Sequence, residues 1–599
     1  MERKLKVCSR KTSKFNFTIK EKDKFYKKLF DFFSVIDFEI SLEKDFILDN
    51  EMLFLEKKNS IFLSEVLLYS ALYIKKAYPL GGFGLCVQKF SNLSLIQGLW
   101  EYEIANKGYT RKQYDLFKKF KNTLLSYMDR KNQNFNITKA RFLIPCELVQ
   151  KGKVKEKLTR KYLKRHSSKN EKLLFDTGEM CEKDAVELLN LVHDNPISVI
   201  GINGDNLSFF EKFGSHLKDK IDCIYIDPPY NTGSRSFAYK DDISSYTWVN
   251  NIANRMLHFK ELLKPSGSVW VSIDDAECHR LKVVAEKVFG WKNFVSDIIW
   301  EKKYTRSNDT QWFSQTHEHL VVYAKDKLNY RPNRLERTPE QLKKYSNPDN
   351  DPRGPWKSTP IHARSGSDKA FAFKFKSGRN WSPPPGTFPR FSMETMKKME
   401  EENRFWFGKS GNGVPRKKSF LSEVNQGVVS TTLWGYEEVG HTHEASTELK
   451  STFPQNPFLS PKPLRLMERV FQLNKANGCL LLDCYAGSGT TGIMTLIENS
   501  KANQEQSHCI LIESGDYFDE ILVTRHKKAL SHKNGVQKGK EWVEIKPQIV
   551  LFLETSKKQE FESEMLGSAF QNCLEQGKEI YKVSNILGAL HRKSELKSA

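Results

Sequence analysis

The amino-acid sequence predicts a three-layer α/β fold with a mostly parallel sheet, interrupted in sequence by an inserted module. Three observations predict it. The short runs Ile221-Asp222-Cys223-Ile224-Tyr225-Ile226 and Leu480-Leu481-Leu482 have the length and apolar content of buried parallel strands. Each leads into a turn of breakers, Asp227-Pro228-Pro229-Tyr230 after the first and Gly487-Ser488-Gly489 after the second. Between them, from about 331 to 450, periodicity weakens and prolines and glycines gather, as in Asp351-Pro352-Arg353-Gly354-Pro355 and Pro383-Pro384-Pro385-Gly386.

Taken in order, residues 1–190 form a mainly helical region whose role the sequence does not give. Phe25, Leu29, Phe32, Phe33 and Ile36 recur at helical spacing, as do Phe62, Val66, Tyr69 and Tyr73. Asp49 with Glu56-Lys57-Lys58 has the D…ExK form of many nucleases, but a chain this rich in Lys and Glu produces it by chance. The first part of the α/β core is placed at 191–330. It holds a short strand at Ser198-Val199-Ile200, a turn at Gly204-Asp205-Asn206, the strand 221–226 and a helix over about 248–263. The breaker Lys264-Pro265-Ser266-Gly267 closes that helix, and strands follow at 269–273, 298–303 and 319–325. The insert at 331–450 interleaves Arg, Lys, Trp and Phe. The second part of the core, 451–535, resumes with the strand 480–482 and a helix opening at Thr490 or Thr491. The strand Cys509-Ile510-Leu511-Ile512 follows, and 536–599 is a C-terminal region.

Composition bounds the function. With 95 Lys+Arg against 73 Asp+Glu the formal net charge is +22, which suits a polyanionic partner, nucleic acid first among them. A lysine-rich surface would give the same balance. The ten cysteines include no CxxC pair and read as reduced thiols of a cytoplasmic protein. The basic start MERKLKVCSRKTSKFNF has no apolar stretch behind it, so no signal peptide is expected. The most apolar segment, 61–74, is broken by Ser64 and Glu65 and is too short for a membrane span.

The sharpest chemical signal is Asp227-Pro228-Pro229-Tyr230 at the carboxyl end of a buried strand, where ligands of open α/β sheets bind. An exocyclic amine such as adenine N6 is a poor nucleophile because its lone pair is delocalised into the ring. Acceptors aimed at its N–H bonds favour the tetrahedral nitrogen that forms as it attacks a methyl group. Asp227 supplies a carboxylate and Pro228 a backbone carbonyl. Pro228 and Pro229 stiffen the turn and hold Asp227 extended. Tyr230 offers a ring for stacking on a base swung out of the duplex, or for facing a sulfonium charge.

The second signal runs from Asp483 through Tyr485, Gly487 and Gly489 to Gly492. There an apolar strand enters a glycine turn that lets the backbone approach a ligand closely. Glu513, ending the next strand roughly twenty residues past the helix start, stands where an acidic residue takes ribose hydroxyls. Gly487, Gly489 and Gly492 also satisfy GxGxxG, so the glycines alone do not separate NAD from an adenosyl sulfonium. The absence of a P-loop lysine disfavours a nucleoside triphosphate, and the Asp227 turn favours a methyl donor over a hydride carrier.

Together these residues resemble the amino-methyltransferases of DNA. Asp227-Pro228-Pro229-Tyr230 looks like their catalytic DPPY motif. Asp483 to Gly492 looks like their S-adenosylmethionine (AdoMet) motif, with Tyr485 where the family usually has Phe. The catalytic motif precedes the cofactor motif, which is the permuted β-class order. Asn231-Thr232-Gly233-Ser234, Val271-Ser272-Ile273-Asp274-Asp275 and Phe458-Leu459-Ser460-Pro461-Lys462-Pro463 add to the likeness, which covers about 200–530 and resembles Mod subunits of type III restriction-modification systems. The resemblance implies a Rossmann-like AdoMet-dependent fold and N6 methylation of a flipped-out adenine in double-stranded DNA. It implies a target-recognition role for 331–450 and cofactor contacts from Asp483, Tyr485, Gly487, Gly489, Glu513 and Lys462, the last at the methionine end. It further implies a homodimer, a separate helicase-nuclease restriction subunit as a possible partner, and a place in the bacterial cytoplasm on the nucleoid.

Several readings compete. An orphan regulatory adenine methyltransferase would have the same motifs. Protein-glutamine or RNA methylation would also use a PPY turn, but those enzymes place the AdoMet motif first. A DNA-binding protein that has lost its chemistry would not need Asp227, and cytosine-N4 enzymes more often carry Ser there. His317-Glu318-His319 and His441-Thr442-His443-Glu444 could bind metal, but neither has the HExxH spacing of a helical zinc site, and methyl transfer needs no metal.

Overall fold

A computed structural model describes residues 136–163, 171–232, 245–366, 371–455, 458, 460–474, 478–502, 505–555, 565–576 and 578–589. The helical spacings around Phe25 and Phe62, the Asp49 and Glu56 pattern, Leu459, and Gly233 and Ser234 lie outside these residues. The chain divides into two compact units, one of Met1–Pro332 with Thr431–Ala599 and one of Asn333–Ser430.

The larger unit is built on an 11-stranded sheet. In chain order its strands are β1 (Ile137–Pro145), β2 (Leu174–Asp176), β3 (Ile197–Asn203), β4 (Ile221–Ile226), β5 (Leu263–Ile273) and β6 (Phe294–Glu301). They continue as β7 (His317–Ala324), β8 (Leu433–Trp434), β9 (Leu480–Asp483), β10 (His508–Glu513) and β11 (Ile549–Thr555). Across the sheet they lie in the order β8-β6-β7-β5-β4-β9-β10-β3-β11-β1-β2. The central six, β5 to β11 in that order, are all parallel. The antiparallel β7 and β6 extend one side and β1 and β2 the other. Central strands covered on both faces are mainly apolar, and β3, β4 and β10 are, with polar residues at Ser198 and Asn203, at Asp222, and at His508 and Glu513.

From the boundary between β4 and β9 the two crossovers run in opposite directions. The chain leaves β4 through helix α1 (Ser245–Leu262) for β5, and leaves β9 through helix α2 (Thr490–Ser500) for β10. Parallel crossovers are right-handed, so the two helices fall on opposite faces and make the three layers. Helix α1 packs on the Asp275–Phe289 helix and α2 on the Leu464–Asn474 helix.

The sheet is wider than the sequence reading of the core. The described part of the N-terminal region, read as mainly helical, contributes β1 and β2, and the C-terminal region contributes β11. Phe142, Leu143 and Ile144 in β1 and Val550, Leu551 and Leu553 in β11 are buried, and this burial draws both segments into the sheet. The breaker at 264–267 opens β5, which starts earlier than the expected 269.

The compact insert, Asn333–Ser430, is narrower than 331–450. Leu433–Trp434 pairs with β6, and Trp434 stacks on Trp270 at 6.1 Å, both within the larger unit. The insert has its own three-stranded antiparallel sheet, Trp356–Pro360, Arg416–Phe420 and Phe405–Trp406. Its core is Ile361, Phe373, Phe375, Trp381, Met396, Met399 and Phe405.

Candidate active site

β4 and β9 are hydrogen-bonded neighbours, although Asp222 at one and Leu480 at the other are 258 residues apart in sequence. Both run in the same direction, so Asp227 and the glycine turn leave the same edge of the sheet at its switch point. Open α/β sheets bind ligands in such a crevice. The sheet therefore brings together two motifs that the insert separates.

Asp227 sits at the centre of a four-residue charged cluster. Its Oδ1 lies 2.6 Å from the Tyr230 hydroxyl, and its Oδ2 accepts a 2.8 Å bond from Lys462 Nζ. Lys462 also donates to Tyr230 Oη at 2.9 Å and stands 3.4 Å from Glu318 Oε2. Glu318 is held by Tyr230 Oη at 3.0 Å and by Lys302 Nζ at 3.1 Å. Two carboxylates and two ammonium groups thus balance in a largely buried space, where an unpaired charge would be costly. Burial pushes the Asp227 carboxyl up, with Lys462 working against it. Burial opposes charge on Glu318 too, but Lys462 and Lys302 prevail and hold it below the usual carboxylate range. Lys462 is raised despite burial because Asp227 and Glu318 face it.

The turn itself is pinned. Trp248 Nε1 donates to the Pro229 carbonyl at 2.6 Å, and Asn231, at φ +58°, donates to Glu277 at 2.8 Å. Asparagine is among the few residues that tolerate such a φ.

On the β9 side, Asp483 is buried and its oxygens are used locally. Oδ2 accepts from Thr491 Oγ1 at 2.5 Å and Oδ1 from the Tyr485 amide at 3.1 Å, while burial pushes the carboxyl up to about 7. Gly487 and Gly489 have φ of +53° and +80°, and a Cβ on Gly487 would stand 3.0 Å from the Phe458 ring. Glu513 reaches the turn: its Oε2 accepts from the Gly487 amide at 2.8 Å and its Oε1 from the Ser514 and Gly515 amides at 2.9 and 2.8 Å. Asn206 donates to the Cys484 carbonyl at 2.7 Å, and Arg255 binds Asn206 and lies over the Tyr485 ring at 5.9 Å. Buried Arg525 donates to the Ser488 carbonyl and hydroxyl at 3.1 and 2.9 Å. A narrow glycine floor with an acidic residue at its end suits an adenosyl group: the ribose hydroxyls can donate to lone pairs of Glu513 that the amides leave free.

The profile of the DNA methylase family matches residues 221–524, just over half of the 599 residues. The chain belongs to the DNA methylase family. Among curated relatives, it is 28% identical over 337 residues to the type III restriction-modification enzyme StyLTI Mod subunit of Salmonella typhimurium, covering 50% of each chain. It is 25% identical to the EcoP15I Mod subunit of Escherichia coli, covering 50% of this chain and 56% of that one. The type II methyltransferase M.KpnI of Klebsiella pneumoniae is 26% identical, over 62% of this chain and 93% of its own length. The chain spans about half the length of the Mod subunits it matches.

Of the residues singled out from sequence in this DNA methylase, Asp227 and Tyr230 meet each other and Lys462, while Asp483, Tyr485, Gly487, Gly489 and Glu513 meet at the other turn. Lys462, read as a cofactor contact, has its ammonium on Asp227. Glu318, Lys302, Trp248, Asn206, Arg255 and Arg525 were not singled out as site residues. For Glu318 a signal existed. His317-Glu318-His319 lies on a strand, where alternate residues face opposite ways, so Glu318 enters the site while both histidines face the other side. There, Asp275, His317 and His319 converge, as do Cys278, Asp297 and His319, with potential ligand atoms within 4.8 Å of one another. Ion pairs already account for this grouping. His319 lies 3.1 Å from Asp297 and 3.0 Å from Asp275, and Asp297 first, then Cys278 and Asp275, push its pKa up to about 11. His441 caps the Thr442–Thr452 helix by accepting from the Glu444 amide at 2.9 Å, and Glu444 is ion-paired with Arg465.

Proposed function

We propose that this protein transfers a methyl group from AdoMet to N6 of an adenine flipped out of double-stranded DNA. The observation that carries the reading is that Asp227 and the glycine turn leave one sheet edge from neighbouring strands, whose residues Asp222 and Leu480 are 258 apart in sequence. Asp227, Pro228, Pro229 and Tyr230 serve the base. Asp483, Tyr485, Gly487, Gly489 and Glu513 hold the donor, with Asp483 acting from behind the turn through Thr491 and Tyr485.

Bound AdoMet supplies an electrophilic methyl group on a sulfonium centre. Asp483, Tyr485, Gly487, Gly489 and Glu513 would hold it so that this methyl group faces the N6 lone pair. Asp227 accepts from the N6 amine through lone pairs that Tyr230 and Lys462 do not occupy, and so favours the pyramidal nitrogen. Lys462 opposes the upward push that burial gives the Asp227 carboxyl. Tyr230, anchored through its hydroxyl, presents its ring to the base.

The Mod relatives support a modification subunit of a type III restriction-modification system; that it acts as a homodimer and joins a helicase-nuclease subunit is what the motif resemblance implies. The basic chain and the aromatic, basic insert support recognition of a short duplex site. No helix among the described residues is long and apolar enough to cross a membrane, and we place the protein in the bacterial cytoplasm, on its DNA. A second reading is an orphan regulatory adenine methyltransferase without a nuclease partner; the match to M.KpnI, named a type II methyltransferase, over 93% of that relative's length means that the likeness is not confined to Mod subunits.

Sequencing modified bases in DNA from cells that express the chain tests the chemistry and reports the site. N6-methyladenine at a recurrent motif is expected; N4-methylcytosine or no modified base would overturn the assignment. Whether a restriction gene neighbours the coding gene, and whether its product co-purifies with this chain, separates the two partner readings.

A further inference from the structure

The loop 302–316 joins β6 to β7, and its direction follows from the sheet. β5 is parallel to β4, β7 is antiparallel to β5, and β6 is antiparallel to β7. The loop therefore leaves the sheet at the edge where Asp227 stands. Its neck is closed by bonds from the Lys302 and Lys303 amides to the Thr316 carbonyl at 2.9 and 3.2 Å. The Lys302 side chain binds Glu318, which in turn contacts Tyr230. The Tyr304 ring is fixed against Tyr436 and His441, each at 5.3 Å.

Beyond the neck the loop folds across itself, with the Ser307 amide on Ser314 Oγ at 2.8 Å and Thr310 Oγ1 on the Ser307 carbonyl at 3.1 Å. What it holds out is Trp312, 81% exposed, and next to it Phe313, 93% exposed. A single exposed apolar side chain is ordinary, but two adjacent large aromatics left in water beside a site have forgone substantial burial. Phe313 stands three positions before Thr316, a reach of at most roughly 10 Å from the neck, and the neck leads through Lys302 and Glu318 to Tyr230. Lys303 and Arg306 on the same loop supply charge for flanking phosphates.

We propose that Trp312 and Phe313 form a wedge that enters the duplex beside the target adenine and fills the stack the base vacates. This rests on the reading of the chain as an enzyme acting on a flipped base. Pulling a base out loses its stacking and pairing, and aromatic side chains inserted into the gap replace part of the stacking. The wedge acts on extrusion alone, so an adenine that is already unpaired does not need it.

The test uses the full chain and two duplexes bearing the site found by modified-base sequencing, with the target adenine opposite thymine or opposite an abasic position. For the double variant Trp312→Ala, Phe313→Ala, single-turnover methylation of the paired duplex should fall roughly 10- to 100-fold. On the abasic duplex it should stay within about threefold of the unsubstituted protein. Trp312→Phe should restore most of the loss. Calorimetric binding of S-adenosylhomocysteine, expected unchanged, shows that the variant is folded. Equal loss on both duplexes, or no loss on either, overturns the wedge. Failure of the unsubstituted protein to methylate either duplex removes the underlying reading, and the wedge with it.

Discussion

At the scale of single residues, the site is decided by how Asp227 divides its lone pairs. Tyr230 and Lys462 take one bond on each oxygen, and the remaining positions are open to an amine. On the proposed reading, in which the carboxylate serves the base and not the donor, Asp227→Ala should lower the methylation rate by at least about 100-fold. Calorimetric AdoMet binding should be nearly unchanged, and equal loss of both would show that the two roles are not separate. Glu318 acts through Lys462 and Tyr230 and is a positioning residue. Glu318→Gln leaves Asp227 as the sole carboxylate facing Lys462, which should grip it harder and compete with the base. We expect kcat to fall while the KM for AdoMet holds. The pH dependence has a definite sign: with its pKa depressed in the folded protein, Glu318 stabilises fully above its unfolded value and loses this as pH falls through the lower folded value. Acid melting curves of the variant should lack that component. Asp227 and Tyr230 were legible because one unbroken stretch holds them; Glu318 was not, because its relevance needs the strand's alternation and a partner 144 residues further on.

At the scale of elements, β7 shows why the histidines were hard to place. Read as a candidate metal motif, His317-Glu318-His319 lacks a helical spacing; as a strand it sends Glu318 to Tyr230 and Lys462 and His319 to Asp275 and Asp297 on the other face. His319 thereby ties β7 to β6 and to the start of the Asp275–Phe289 helix. Its pKa is raised from 6.5 to about 11, so its stabilisation is complete below about pH 6.5 and is lost as pH rises toward 11. The melting temperature of the protein should decline from pH 7 to pH 10 more steeply than that of His319→Gln. Parallel slopes would mean that the imidazolium pairing contributes nothing. The strands β4, β9 and β10 were readable because each ends in a turn with chemical meaning. β11 is as apolar as they are, but no motif follows it, and its place depends on β3 and β1 from the other end of the chain.

At the scale of the whole molecule, two motifs far apart along the chain are neighbours in space because the sheet sets β4 beside β9. The insert can therefore be long without disturbing the core, provided its ends lie close together. They do: Leu335 and Val428 exchange both backbone hydrogen bonds at 2.8 Å, a pairing that brings the entering and leaving segments to roughly 5.5 Å. An insertion with adjacent ends and its own apolar core has the anatomy of a separable domain. Replacing residues 333–430 by a short Gly-Ser link should leave a folded chain that binds AdoMet within about threefold of the full protein, since the glycine turn and Glu513 lie entirely in the larger unit. Methylation of the recurrent motif should disappear, because the residues proposed to read it are gone while Asp227 and its neighbours stay. Calorimetry with AdoMet and modified-base sequencing read the two outcomes separately. Loss of donor binding would show that the core needs the insert to fold, and methylation surviving at the same motif would place recognition elsewhere in the chain.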